Sequence, residues 1–155
     1  MDFIYAFKPF FEEPDNISEK IALRLDSQAH ILPVVFDSAE LLGQIKTLKP
    51  TRIIGIGRCR HGKLVRIERK ANNIIEGLKK INPSGMDNYF STLKLKTIVG
   101  SRKSYNMGDY VCNYMHYSIL EFLKKNNLDI PTVFFHVPMT MDLDEAVGVL
   151  KKLLK

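Results

Sequence analysis

Short, almost wholly apolar runs alternate along this chain with longer stretches of helical period, and that alternation restricts the fold more than any other feature. Phe3-Ile4-Tyr5-Ala6-Phe7, Arg52-Ile53-Ile54-Gly55-Ile56-Gly57 and the stretch from Pro131 to Val137 (PTVFFHV) show little polar alternation. Such runs read as strands buried on both faces, the state of a sheet covered by helices on either side. Helical spacing falls between them. Asn16 with Glu19 resembles a capping box that opens a helix through Ile21, Ala22 and Leu25. Ser38 is placed to cap a second helix, with Leu41, Leu42, Ile45 and Leu48 on one face and Pro50 as its stop. Gly108 precedes a strong amphipathic helix bearing Val111, Met115, Ile119, Phe122 and Leu123, and Leu143, Ala146, Val147, Leu150 and Leu154 line a last one. Two further extended segments are expected: Ala29 to Phe36, where Pro33 implies a sheet edge or bulge, and Leu64 to Ile75, which alternates. Strand and helix in turn predict an α/β domain around a largely parallel sheet.

The chain's 155 residues suffice for one domain, 1–155, and 45% hydrophobic content supplies its core. The apolar start ends at Lys8-Pro9, too soon for a signal peptide or membrane span, so a soluble cytoplasmic protein is expected. Cys59 and Cys112 suit that compartment as free thiols. No cysteine–histidine cluster has zinc spacing, so neither metal nor cofactor is expected. The net charge of +6 is concentrated between Arg52 and Lys70, where Glu68 alone opposes eight basic or histidine side chains. That stretch could draw a polyanion, but no aromatic residue lies between Phe36 and Tyr89 to stack on bases. A solvated loop and a polar strand face explain it better, and no nucleic-acid partner is expected.

Three residues stand out chemically. Cys112 falls in or near the first turn of the Gly108–Lys125 helix, where free N–H groups and the macrodipole favour an anion. That position is expected to lower the thiol pKa, and its N–H groups to hold an oxyanion. His136 closes an apolar strand, at the end where parallel α/β sheets gather their sites, and an imidazole there suits a general base. Glu68 can fix the tautomer of that imidazole as the third member of a triad. Each residue also has an ordinary structural explanation: a buried core cysteine, a histidine satisfied by a carbonyl, a surface carboxylate among arginines.

Several strings add to this reading. Ala6-Phe7-Lys8-Pro9-Phe10, Asn16-Ile17-Ser18-Glu19-Lys20-Ile21-Ala22, Leu32-Pro33-Val34-Val35-Phe36 and Ile67-Glu68-Arg69-Lys70-Ala71-Asn72-Asn73-Ile74 are followed by Tyr89-Phe90-Ser91-Thr92-Leu93, Gly108-Asp109-Tyr110-Val111-Cys112-Asn113-Tyr114 and Phe135-His136-Val137-Pro138. In that order they resemble the pyroglutamyl peptidase I family (pyrrolidone-carboxylate peptidases), which remove an N-terminal pyroglutamate from peptides. The resemblance implies a three-layer α/β/α domain around a twisted, mostly parallel mixed sheet. It also implies Glu68, Cys112 and His136 as the catalytic residues and a thioester intermediate. Phe7, Phe10 and Asn16 become substrate-binding residues, with the two phenylalanines flanking the lactam ring. Apolar walls suit an uncharged ring. A pyroglutamyl peptide is the implied substrate and a homo-oligomer the implied assembly.

Departures accompany the match. The chain is shorter than family members around 75–89, before Cys112 and after Pro138. Phe11-Glu12 stands where the family has Gly-Gly, Asn16-Ile17-Ser18 where it has Asn-Pro-Ser/Thr, and Met107-Gly108 where it has Ala-Gly. Arg58 and Arg60 both suit the family's arginine position. Two alternatives to pyroglutamyl cleavage stay open: hydrolysis of another small acyl amide, and a catalytically silent homologue that binds through its basic 52–70 stretch.

Overall fold

The computed structural model describes residues 1–10 and 14–155, so the Phe11-Glu12 dipeptide lies outside the described residues. Six strands form one sheet in the order β2-β1-β3-β8-β4-β7. The strands are β1 (Asp2–Phe7), β2 (His30–Leu32), β3 (Arg52–Cys59), β4 (Val65–Glu68), β7 (Ser101–Ser104) and β8 (Thr132–Pro138). All neighbours are parallel except β4 and β8, which run antiparallel. Helices α1 (Ile17–Leu25) and α4 (Leu143–Leu153) cover one face, while α2 (Ala39–Leu48) and α3 (Val111–Lys125) cover the other. The three-layer mixed sheet is the expected architecture.

The strand pleat divides the core in two. Ile4, Ala6, Ile54, Ile56, Val133, Phe135 and Val137 pack against Ile21 of α1 and Ala146 and Leu150 of α4. Phe3, Tyr5, Phe7, Ile53 and Phe134 pack against Leu41 and Ile45 of α2 and Val111, Met115 and Ile119 of α3. Each fully buried Phe or Ile stabilises by about 1.5–3 kcal/mol relative to exposure, so the central strands supply most of the driving force.

Local differences from the sequence reading have identifiable causes. The segment from Ala29 is a strand only over His30–Leu32, at the sheet edge, because Pro33 lacks the N–H that would continue the ladder. Asn16 caps α1 by accepting from the Ser18 amide at 3.0 Å, one residue earlier than in a capping box. Ser38 occupies the cap position of α2 without a side-chain bond, and Asp37 accepts from the Ala39 amide instead, at 3.0 Å. The 64–75 stretch breaks at Arg69 into β4 and β5 (Lys70–Asn72), and β5 pairs with β6 (Asn88–Phe90) outside the main sheet. The break has a use: Arg69 turns its guanidinium onto the Leu93 and Ser91 carbonyls at 2.8 and 2.9 Å. Strand β7 (SRKS) carries no apolar period, and only its pairing with β4 makes it a strand.

Candidate active site

The site begins with two glycines. Along β3, Ile54 and Ile56 face α1 and α4, so Gly55 and Gly57 face α3. Tyr5 and Phe134 occupy the room above Gly55. Above Gly57 sits the Cys112 sulfur: a Cβ at Gly57 would lie 2.7 Å from Sγ and 2.9 Å from Phe134 Cζ. Glycine therefore lets the N-terminal turn of α3 settle onto the sheet, and parallel pairing sets His136 of β8 directly beside Gly57. Cysteine and histidine, 24 residues apart in sequence, thus flank one backbone position.

The antiparallel strand β4 completes the cluster. Its register puts Arg66 opposite His136 and Glu68 opposite Phe134, all on the α3 face. The fully buried Glu68 carboxylate accepts from His136 Nδ1 at 2.8 Å, and Arg66 Nε lies 3.4 Å from the same oxygen. A neutral ring that donates from Nδ1 keeps its Nε2 lone pair as a proton acceptor. The carboxylate is no surface group among arginines.

Cys112 and His136 line a common cavity of ≈ 210 Å³ with Phe10, Arg58, Arg60, Met107 and Tyr110. Two aromatic rings, Phe10 and Tyr110, lie 6.2 Å apart on one side of it, and Phe36 backs Tyr110 from outside the cavity, edge-on at 5.4 Å. Both candidate arginines line the cavity, and Arg58 Cζ stacks 4.8 Å above the Phe10 ring. Phe7 is fully buried against Tyr5 in the core and is not among the lining residues. Asn16 does not line the cavity either. Its amide donates to the Lys8 carbonyl at 3.1 Å, tying the segment that carries Phe10 to the start of α1. A larger cavity of ≈ 610 Å³ between β6 and the end of α3 contains neither a thiol nor an imidazole, so it offers no comparable chemistry.

The basic stretch does not form one face. Arg52 pairs with Asp2 at 2.6 Å, Arg66 lies against Glu68, Arg69 donates to two carbonyls, and Arg58 and Arg60 line the cavity. Both cysteines are free thiols.

One electrostatic expectation is reversed. Burial pushes the Cys112 thiol up to about 12, with the Glu68 carboxylate adding to the effect; the backbone N–H of Cys112 and Arg58 pull the other way and lose. Removal from water outweighs the helix terminus. At neutral pH Cys112 is a thiol, so its thiolate fraction is about three orders of magnitude below that of a thiol titrating near 9. Alkylation of Cys112 by iodoacetamide, followed by peptide mass spectrometry, is therefore expected to speed up about tenfold per pH unit from pH 6 to 10. A plateau below pH 7 would contradict the neutral thiol. The same shift makes folding stability fall between pH 9 and 12, where the unfolded chain has lost this proton and the folded one keeps it.

Gly57, which lies under the Cys112 sulfur, Tyr110, which lines the cavity, and the buried His116 of α3 are positions that the sequence does not single out. A histidine one position from Met115 on a core-facing helix was the available signal for His116; nothing local marks Gly57, whose neighbour comes from another element.

The family model described as pyroglutamyl peptidase matches residues 3–146. The chain is 30% identical to the pyrrolidone-carboxylate peptidase of Thermoanaerobacter sp. (strain X514), over 87% of this chain and 80% of that protein. It is 31% identical to that of Brachyspira hyodysenteriae (strain ATCC 49526 / WA1), over 87% and 81%. Among solved structures, the pyrrolidone carboxyl peptidase from Thermococcus litoralis superposes with a TM-score of 0.87 at 23% identity, covering 99% of this chain and 90% of that one, a likeness of fold. A mutant pyrrolidone carboxyl peptidase from Pyrococcus furiosus gives 0.84 at 25% identity, covering 99% and 95%. With a family model matching residues 3–146 and relatives 30–31% identical over most of the chain, this protein belongs to the pyroglutamyl peptidase family.

Proposed function

We propose that the protein removes N-terminal pyroglutamate from peptides, with Cys112 as nucleophile, His136 as general base and acid, and Glu68 as the carboxylate that orients the imidazole. One observation carries this reading: Cys112 and His136 share a cavity while Glu68 holds His136 Nδ1 at 2.8 Å. As Sγ attacks the carbonyl carbon joining pyroglutamate to the next residue, Nε2 takes the thiol proton. The free N–H groups at the start of α3 are suited to the tetrahedral oxyanion. The imidazolium then protonates the departing amine, leaving a thioester, and water activated by His136 releases pyroglutamate. Because the thiol is neutral at rest, deprotonation belongs to the attack itself.

Substrate choice follows from the walls. The lactam ring is small and uncharged, and the Phe10–Tyr110 side offers it apolar surface, whereas an ammonium there would be desolvated without a carboxylate partner. No helix among the described residues is long and apolar enough to cross a membrane. Two free cysteines, one of them the nucleophile, suit a reducing cytoplasm. The test uses fluorogenic amides: release from the pyroglutamyl amide is expected, and prolyl and alanyl amides are expected to stay intact. Turnover of another acyl amide with the pyroglutamyl one spared would instead select a different small acyl substrate.

A further inference from the structure

Glu68 is weakly held from its own side. Its Oε1 meets His136 and, at 3.4 Å, Arg66, but its Oε2 has no hydrogen-bond partner among the described residues. The aim of this carboxylate therefore depends on the backbone beneath it. That backbone is where the β4–β8 ladder ends: Glu68 is the last residue paired, opposite Phe134. Beyond it the chain turns away, with the Arg69 amide donating to the Ser104 carbonyl at 2.7 Å.

Two buried side chains take over at that point. The Ser91 hydroxyl donates to the Glu68 carbonyl at 2.6 Å, and His116 Nε2 lies 2.8 Å from the same hydroxyl. Ser91 is 3% exposed and His116 is fully enclosed. Ser91 has one hydroxyl proton and commits it to Glu68, so Nε2 must be the ring nitrogen that carries hydrogen and donates. His116 Nδ1 is then a buried acceptor with no hydrogen-bond partner among the described residues, a standing cost of this arrangement. Burial, with His136 and Arg69 nearby, lowers the His116 pKa to about 3, which keeps the ring neutral and leaves Glu68 without a competing cation on that helix.

We infer that His116 and Ser91 are positioning residues for the reaction: the chain His116 Nε2–H to Ser91 Oγ–H to the Glu68 carbonyl fixes the Glu68 backbone, and through it the orientation of His136. The inference rests on the proposed Cys112–His136–Glu68 chemistry, and neither residue touches the cavity. A core role alone would need no donor at this position, and an aliphatic side chain would serve as well.

The test compares His116→Leu, which removes the donor, with His116→Gln, whose side-chain amide can present an N–H near the original Nε2. In His116→Leu, kcat on the pyroglutamyl amide is expected to fall about tenfold with KM changed less than twofold. The downfield proton resonance of the His136 Nδ1–H to Glu68 bond is expected to move upfield or broaden. His116→Gln is expected to restore kcat to within threefold, together with the resonance. Ser91→Ala breaks the chain from the other side and reads the same quantities should the helix variant fold poorly. A His116→Leu protein with kcat within twofold of the parent and an unmoved resonance would overturn the inference, as would a His116→Gln protein as slow as His116→Leu. If the parent cleaves no pyroglutamyl amide, the proposed function fails, and the resonance alone still decides the positioning role.

Discussion

Replacing the Cys112 thiol with hydrogen, in Cys112→Ala, is expected to lower kcat on a pyroglutamyl amide by on the order of 10⁶-fold, the scale seen when a covalent nucleophile is removed. The substitution deletes one buried atom at a position 7% exposed, so the fold should persist with a melting temperature within a few degrees. Cys112→Ala should also lose the part of the pH 9–12 destabilisation that arises from the raised thiol. Steady-state kinetics and a thermal melt at pH 7 and pH 10 check both statements. A Cys112→Ala protein retaining more than one part in a hundred of parental turnover would show that another group attacks.

The second large effect is expected from one methyl group where no chemistry occurs. In Gly57→Ala the new Cβ would fall 2.7 Å from Cys112 Sγ and 2.9–3.0 Å from two atoms of the Phe134 ring. One of them must move. Phe134 is fully buried and packs 5.0 Å from the His136 ring, so it has little room, and the sulfur or the start of α3 is displaced. Overpacking of this kind costs about 1–3 kcal/mol of stability. A shift of the nucleophile by roughly 1 Å is enough for a loss on the order of 10²-fold in kcat. Kinetics on the variant, with near-ultraviolet circular dichroism to confirm intact packing, checks this. A folded Gly57→Ala protein within threefold of parental kcat would mean that Sγ does not depend on the bare backbone beneath it.

Both effects bear on what a linear reading can reach. The apolar runs at 3–7, 52–57 and 131–137 became β1, β3 and β8, because burial on both faces leaves them no polar side to present. The helices at 17–25, 39–48, 111–125 and 143–153 followed from period and caps. Residues 101–104 and 88–90 went unread as strands, since an edge or a two-stranded ribbon needs no apolar alternation and takes its identity from its partner. Phe10 was reachable from its string and lines the cavity, whereas Phe7, from the same string, faces the core because it is the last residue of β1 while Phe10 lies in the loop beyond it. The basic stretch at 52–70 looked like one feature and dissolved into separate local ties, because it runs along two strands, β3 and β4, that β8 separates in the sheet, and each side chain meets its own partner.

By itself the sequence determined the layered α/β class, the four helices and the buried strands between them, and which residue types stand at their ends: a cysteine at a helix start, a histidine at a strand end, a carboxylate on a polar strand face. Periodicity encodes which face a residue takes, and that much is local. Only the tertiary structure decided that β4 runs antiparallel to β8 and so carries Glu68 to within 2.8 Å of His136. It alone set Cys112 above Gly57, and it reversed the sign of the thiol's shift, because a helix terminus acts over one turn whereas desolvation depends on everything that closes around the sulfur.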